Sequence, residues 1–427
     1  MTRREALRWL GAGAVGTLLP IGCKPAPANL KPMPQRGYVW QRDWNGAVVE
    51  AMTEADQRMD GLVVLAGEIV WNHRVARFIS ASIVWEAMRE TRKPIALGLR
   101  VAPFGGPFET DDASIRAIRG VVNSLLDEAR RHRLELTELQ LDFDCAQKKL
   151  AGYRVWLQTL RAVIAPVRFV ITTLPSWLNE SDFIELVREV DGYVLQVHSV
   201  PTQAETGRAD LCDPTLARRW VERASTIGLP FSVALPTYRC LAGYDSTGKL
   251  LGVAMEGPPP AWPPGTSLLD FITNADEVAA LVHEWQSEHR PAGLRELIWY
   301  RVPIGSDTRN WRWPTLAAVM AGRAPIRKFE VTTAGENPVD ITLVNTGESD
   351  DEADLEVIVT WDHVSLVSAD ALPGWTVHVE PNRATFSPSA GARLRLSPGE
   401  RRGIGWLRHD QIALLHSQVV GRGAAER

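Results

Sequence analysis

Leu139-Gln140-Leu141-Asp142-Phe143-Asp144 alternates apolar and polar residues without a break, and its reading decides the fold. In a strand, successive side chains point to opposite faces, so Leu139, Leu141 and Phe143 share one face and Gln140, Asp142 and Asp144 the other. An apolar face needs a covering layer, whereas a face with two carboxylates needs water or a ligand. The strand of a barrel meets both demands, because its outer face packs on helices and its inner face ends in an open mouth.

Working outward, seven further apolar runs rich in Val, Ile, Leu or aromatics repeat the theme: Tyr38–Gln41, Gly61–Ala66, Pro94–Val101, Arg168–Thr173, Gly192–His198, Pro230–Leu235 and Glu296–Val302. Helical spacing fills the intervals, notably Ile115–His132, with Asp111, Asp112 or Ser114 as N-cap, and Tyr153–Ile164. Eight alternations of strand and helix predict a (β/α)8 TIM-like barrel over residues 37–325. The rival is a doubly wound open sheet, but no Gly-rich phosphate loop follows the first strand, and no cofactor is expected.

Beyond Pro325 the pattern changes. Phe329–Thr333, Ala353–Trp361, Trp375–Glu380 and Arg393–Leu396 read as strands, with turns at Gly335–Pro338, Asn345–Gly347 and Ser397–Gly399. They predict a small all-β, sandwich-like domain over residues 326–420 and a frayed tail at 421–427. The run Glu348–Glu352 reads as a solvated acidic loop.

The chain has 427 residues, 45% of them apolar and 23% charged, a globular composition that allows more than one domain. With 47 basic and 51 acidic residues the net charge is −4, so no basic excess is available to neutralise a phosphate backbone and nucleic acid is not an expected partner. Trp (16) outnumbers Phe (10) and Tyr (6), a bias that suits sugar stacking as well as core packing.

Residues 1–23 read as a signal segment and residues 24–36 as a tether. Arg3-Arg4 resembles a twin-arginine export signal and Leu19-Pro20-Ile21-Gly22-Cys23 a bacterial lipoprotein cleavage site, although Ala6 and Pro20 depart from those patterns. The resemblance implies an exported lipoprotein of the cell envelope, anchored in the membrane through lipid on Cys23. Of the remaining cysteines, Cys212 and Cys240 follow successive barrel strands and form a possible disulfide; three reduced thiols are the alternative.

The barrel rule gathers candidate site residues at the strand ends. Asp142 and Asp144 have Cα atoms roughly 6.6 Å apart at about 3.3 Å per residue. Like charges that close should push one pKa up and leave a proton donor beside an ionised partner. Asp43, Glu68, Arg100, Gln196, His198, Tyr238 and Arg239 extend the set, while the eighth strand offers Trp299 and Arg301 in one register or Ile298 and Tyr300 in the other. Trp40, Tyr238, Trp299 and Tyr300 are candidates for stacking on sugar rings or for core packing. A structural reading also stands, in which Arg100 or a loop Arg neutralises both acids.

Leu141-Asp142-Phe143-Asp144 resembles the Asp-x-Asp segment of chitinase-like glycoside hydrolases, which are barrels. In that family the acid is a Glu two positions beyond the last Asp, and Ala146 stands there in this chain. Gln140–Cys145 with Leu150 and Tyr153, together with Leu235-Pro236-Thr237-Tyr238, resembles the bacterial domain of unknown function 3142. That likeness implies an exported barrel and little about chemistry. The leading expectation is therefore a cell-envelope carbohydrate-active protein acting on a polysaccharide or glycan, with Asp142 and Asp144 as the working pair and Glu68 or Asp43 as a further proton source. The alternative is a non-catalytic glycan-binding or envelope-assembly lipoprotein. A metal-dependent hydrolase using His198 with the two Asp is a weaker third, because the chain has no His-Glu-x-x-His, and no metal is expected. No Gly-x-Ser-x-Gly signals a serine nucleophile.

Overall fold

The structure, a computed structural model, describes residues 31–73, 75–201, 210–255, 259–350, 352–390 and 394–421. The expected leader with Cys23, most of the tether, and the tail beyond residue 421 lie outside the described residues. In chain order the first half reads β1 (Gln35–Val39), α1 (Gly46–Arg58), β2 (Gly61–Asn72), β3 (Val75–Ser80), α2 (Trp85–Glu90), β4 (Ile95–Val101), α3 (Ala113–Arg131) and β5 (Leu136–Phe143). It continues with α4 (Leu150–Ile164), β6 (Arg168–Thr173), α5 (Ser181–Val187), β7 (Gly192–Gln196), α6 (Pro214–Ser225), β8 (Phe231–Pro236), β9 (Cys240–Tyr244), β10 (Leu250–Ala254), β11 (Ser267–Phe271), α7 (Ala275–His283), β12 (Leu294–Tyr300) and α8 (Trp313–Met320).

Strands β1, β2, β4, β5, β6, β7, β8 and β12 pair in that order, all parallel, and β12 pairs back to β1 with Leu297 opposite Gln35. The barrel is closed, with helices between its strands. The first strand starts earlier than its apolar run predicts: Gln35, Arg36 and Gly37 pair with β12 although they carry no apolar signal. Helix α3 begins at Asp112, whose side chain accepts from the Ile115 N–H, a cap worth about 1 kcal/mol. Its Ile115, Ile118, Val122, Leu125 and Leu126 recur at three- and four-residue steps and are buried.

The β5 alternation is realised. Leu139, Leu141 and Phe143 join the large core between strands and helices, with Val64, Leu97, Leu99 and Trp156. Inside the barrel, Tyr38, Trp40, Val63, Leu65, Ala96, Val170, Val194, Ala234 and Ile298 form a separate cluster. Below them the floor is ionic. Arg36 Nη1 lies 3.1 Å from both Glu138 Oε1 and Glu296 Oε1, and Arg168 Nη1 lies 3.2 Å from Glu138 Oε2.

Two additions have no counterpart in the sequence reading. Strand β3 runs antiparallel to the extended end of β2, and β10-β9-β11 form a small antiparallel sheet after β8. Short, Gly-containing strands such as Cys240–Tyr244 and Leu250–Ala254 lack the β-branched enrichment that marks a strand.

After the barrel come two four-stranded antiparallel sheets. One contains residues 329–334, 339–345, 401–409 and 366–371, and the other residues 375–380, 383–388, 355–361 and 415–421. Ile341, Leu343, Val357, Val359, Trp361, Phe386, Ile404 and Leu407 fill their shared core.

Two expectations are corrected. The Glu348–Glu352 run is not simply a solvated loop, because Ser349 and Asp350 are buried. Asp350 Oδ2 accepts from the Arg312 N–H and from Thr315 Oγ1, and Glu348 pairs with Arg323, so the run joins the barrel to the sheets. Cys212 and Cys240 form no disulfide; with Cys145 they are buried free thiols. They sit in different apolar clusters, Cys212 in the barrel core and Cys240 under the β9 sheet. Burial pushes both thiols up to about 12.

Candidate functional site

Parity along four adjacent strands assembles the site. On β5, Asp142 points into the barrel; on β4 the same side carries Ala96, Gly98 and Arg100; β6 supplies Thr172 and β7 supplies Gln196. Gly98 has a packing reason, since a Cβ there would lie 2.9 Å from the Trp40 ring, which occupies that space in the mouth.

Glu68 reaches the same mouth by a different device. Leu62, Val64, Ala66 and Ile69 all face the helices, so a regular β2 would turn residue 68 outward with them. A register shift between Leu65 and Gly67 inserts one residue and turns Glu68 toward Arg100, its pairing partner on β4. Gly67 permits the shift, because a Cβ there would lie 2.6 Å from the Ile79 carbonyl oxygen.

Three carboxylates converge on the Arg100 guanidinium. Its Nε lies 3.5 Å from Glu68 Oε1, its Nη1 3.9 Å from Asp142 Oδ2, and its Nη2 3.8 Å from Asp144 Oδ2. The Glu68 oxygen is therefore no more than about 10 Å from either Asp, across one planar guanidinium. Glu68 is also in close contact with Arg42. Asp142 is buried and accepts at Oδ1 from Thr172 Oγ1 (2.6 Å) and Gln196 Nε2 (3.3 Å). Asp144, just past the strand, is half exposed. Crowding by the mouth walls, then the negative charge of Asp142, raise the Asp144 pKa above the usual carboxylate value, with Arg100 opposing them. The arrangement thus holds one carboxyl that protonates easily beside one fixed by two hydrogen bonds and a longer ion pair.

Aromatic rings wall the cleft. Tyr300 is the hub, with ring centroids 5.7 Å from Tyr38, 5.8 Å from Trp40, 5.6 Å from Tyr238 and 5.7 Å from His198. Burial, partly offset by the Ala234 carbonyl, lowers the His198 pKa to about 4 and keeps the imidazole neutral at pH 7. The cleft encloses about 440 Å³ beside Asp142 and Asp144. It runs past Trp40, Arg100, Met255 and Tyr300 into a second hollow of about 500 Å³ that reaches Arg42, Asp43 and Pro260.

Most candidates gather here: Trp40, Asp43, Arg100, Asp142, Asp144, Gln196, His198, Tyr238 and Tyr300 line the cleft or its extension. Three do not. On β12 the register is Ile298 and Tyr300 inward, so Trp299 packs in the outer core and donates to Gln35 Oε1 at 2.9 Å. Arg301 is fully buried against Asp307 and the Met255 carbonyl. Arg239 points toward the sheets, where it pairs with Asp270 and Glu352. Thr172, Tyr38, Arg42 and Met255 were missed. Thr172 and Tyr38 share inward parity with Val170 and Trp40, a signal present in the sequence; Met255, after the unforeseen β10, had none. Ala146 is exposed beyond β5, so no carboxylate stands at that place. Among the described residues no group of three or more His, Cys, Asp or Glu is placed to hold a metal ion.

Residues 105–305 match the family model described as a domain of unknown function, DUF3142. The match takes in β5 through β12, so the resemblance carried by Gln140–Cys145 and Leu235–Tyr238 holds over that segment. No curated protein matches the chain. Among solved structures, a chitinase from Chromobacterium violaceum ATCC 12472 is similar at 12% identity and a TM-score of 0.47, over 68% of this chain and 98% of that one. The Bacillus cereus spore cortex-lytic enzyme SleL is similar at 10% identity and 0.49, over 69% and 75%.

Proposed function

We propose that the mouth of this barrel binds and cleaves a polysaccharide or glycan, with Asp144 as proton donor to the glycosidic oxygen and Asp142 as the fixed charge that stabilises the developing cation. The supporting observation is the pairing of a half-exposed carboxyl of raised pKa with a buried, doubly hydrogen-bonded one in an aromatic-walled cleft. Trp40, Tyr238 and Tyr300 would stack on sugar rings. Glu68, near enough for a second carboxyl role, is tied by two guanidiniums and acts through Arg100. Export and lipid anchoring at Cys23 belong to the same proposal and rest on the leader sequence alone.

A second reading, glycan binding without cleavage, is favoured by one observation: Ala146 stands where the resembling hydrolases carry their acid. A glycan hydrolysis screen with the full-length chain, run beside Asp142→Asn and Asp144→Asn, separates the two. Turnover lost in both variants while binding persists supports cleavage. Binding without turnover in every form overturns it in favour of the second reading.

A further inference from the structure

A second cavity, of about 260 Å³, lies at the junction of the barrel and the sheets. Its charged lining comes from separate segments: Arg239, Asp276 and Arg309 from the barrel, and Arg327, Asp350, Glu352 and Arg395 from beyond it. Three of the four arginines join the two parts. Arg239 pairs with Asp270 and reaches Glu352 at 3.4 Å, Arg327 pairs with Asp276 at 2.9 Å, and Arg395 donates to the Thr308 carbonyl at 2.5 Å and sits 3.8 Å from Asp350. The fourth does not. Among the described residues the Arg309 guanidinium makes no hydrogen bond or ion pair, although Asp276, Asp350 and Glu352 line the same space.

We propose that this junction cavity binds a small anion carrying a carboxylate or phosphate group, with Arg309 as its principal partner. A guanidinium presents a planar fork of donors that matches both oxyanions. A partly enclosed cavity makes such a contact stronger than it is in open solvent. Four arginines and three carboxylates line the cavity, and Arg395 is lowered first by burial, then by repulsion from Arg239 and Arg312, against the pull of Asp350 and Asp270. An anion would relieve that repulsion, and the volume suits a molecule about the size of one sugar acid or citrate. The site is independent of the glycan reading, yet the two touch. Tyr238 lines both cavities, and the Arg239 N–H donates to the Arg309 carbonyl at 2.8 Å.

The test is calorimetric titration of the full-length chain with inorganic phosphate, citrate and glucuronate at low salt, with glucose as the uncharged control. Saturable binding of at least one anion, absent for glucose, weakened about tenfold or more by Arg309→Gln and retained in Asp144→Asn, is the expected result. Which anion binds assigns the phosphate or carboxylate source. No saturable binding, equal binding to Arg309→Gln, or loss in Asp144→Asn with Arg309→Gln unaffected overturns the proposal. Arg327→Gln, at an exposed position, supplies a second variant that should weaken the same titration.

Discussion

The two ends of this barrel hold the same ingredients in opposite states. On the floor, one arginine meets two glutamates at 3.1 Å in a closed interior, with Gln140, Ser232 and Arg168 completing their shells. At the mouth, one arginine faces three carboxylates at 3.5 to 3.9 Å around open space. The floor charges are fixed by one another, whereas the mouth charges line an open cleft. A short ion cluster buried among its own partners is a structural plug. A loose one, with a carboxyl of raised pKa at its edge, is what the proposed chemistry requires.

The largest effect that can break this contrast is Arg36→Met. It leaves Glu138 and Glu296 buried with only Arg168 nearby, and removing one partner from a buried charge cluster costs about 3 to 5 kcal/mol. Arg100→Met at the mouth should cost about 1 kcal/mol or less, since that guanidinium is a third exposed and its contacts are long. Urea midpoints measure both. Equal losses would erase the distinction between plug and site.

Asp144→Asn comes next. As general acid Asp144 should contribute about 10²- to 10⁴-fold to turnover, which the variant loses while its fold persists. The sign of its pH effect follows from the raised pKa: the protonated, competent form prevails at low pH and is lost as pH rises through the folded value. The same shift makes ionised Asp144 a small liability to folding above that pH, so Asp144→Asn should unfold slightly later at neutral pH. Arg100→Met, which removes the cation opposing the shift, should move the basic limb of the activity profile upward. A limb that stays in place in Arg100→Met assigns the titration to another group.

Gly67→Ala tests how the mouth is built. A methyl 2.6 Å from the Ile79 carbonyl oxygen cannot be accommodated by a side-chain turn, so the β2–β3 hairpin must shift, at about 1 to 3 kcal/mol. The bulge that aims Glu68 at Arg100 shifts with it. Turnover should fall along with stability. A variant with lower stability and full activity would remove Glu68 from the site.

Much of this was legible in the chain. Leu139–Asp144 alone carried the parity that puts two Asp inside and three apolar residues outside, and the seven companion runs located the remaining staves. The eighth stave was ambiguous, because Ile298-Trp299-Tyr300-Arg301 offers large residues on both faces; closure against β8 and β1 made Tyr300 the inward one. The tight floor was invisible, since Arg36 lies before the first apolar run and its partners come from strands 102 and 260 residues away. The burial of Asp350 could not be foreseen from a run of acids either, because the Arg312 N–H and Thr315 hydroxyl that bond its Oδ2 belong to the barrel.

The smallest effect comes from His198, and it separates two opposing trends within the mouth. Packed between Tyr238 and Tyr300 with Nδ1 3.4 Å from the Ala234 oxygen, its imidazole titrates near 4, against about 6.5 in an unfolded chain. Between those two values the unfolded chain binds the extra proton, so the stability this residue contributes is complete above pH 6.5 and drains away as pH falls toward 4. Asp144 acts in the opposite sense, since protonating it on the way down relieves the folded state. His198→Gln should therefore flatten the acid-side decline of the urea midpoint between pH 6.5 and 4, and Asp144→Asn should steepen it. Arg36→Met should instead lower the midpoint already above pH 6.5, where His198→Gln leaves the imidazole contribution unchanged. Parallel slopes in wild type and His198→Gln would mean that the ring is wetter than its neighbours imply, and the mouth correspondingly more open.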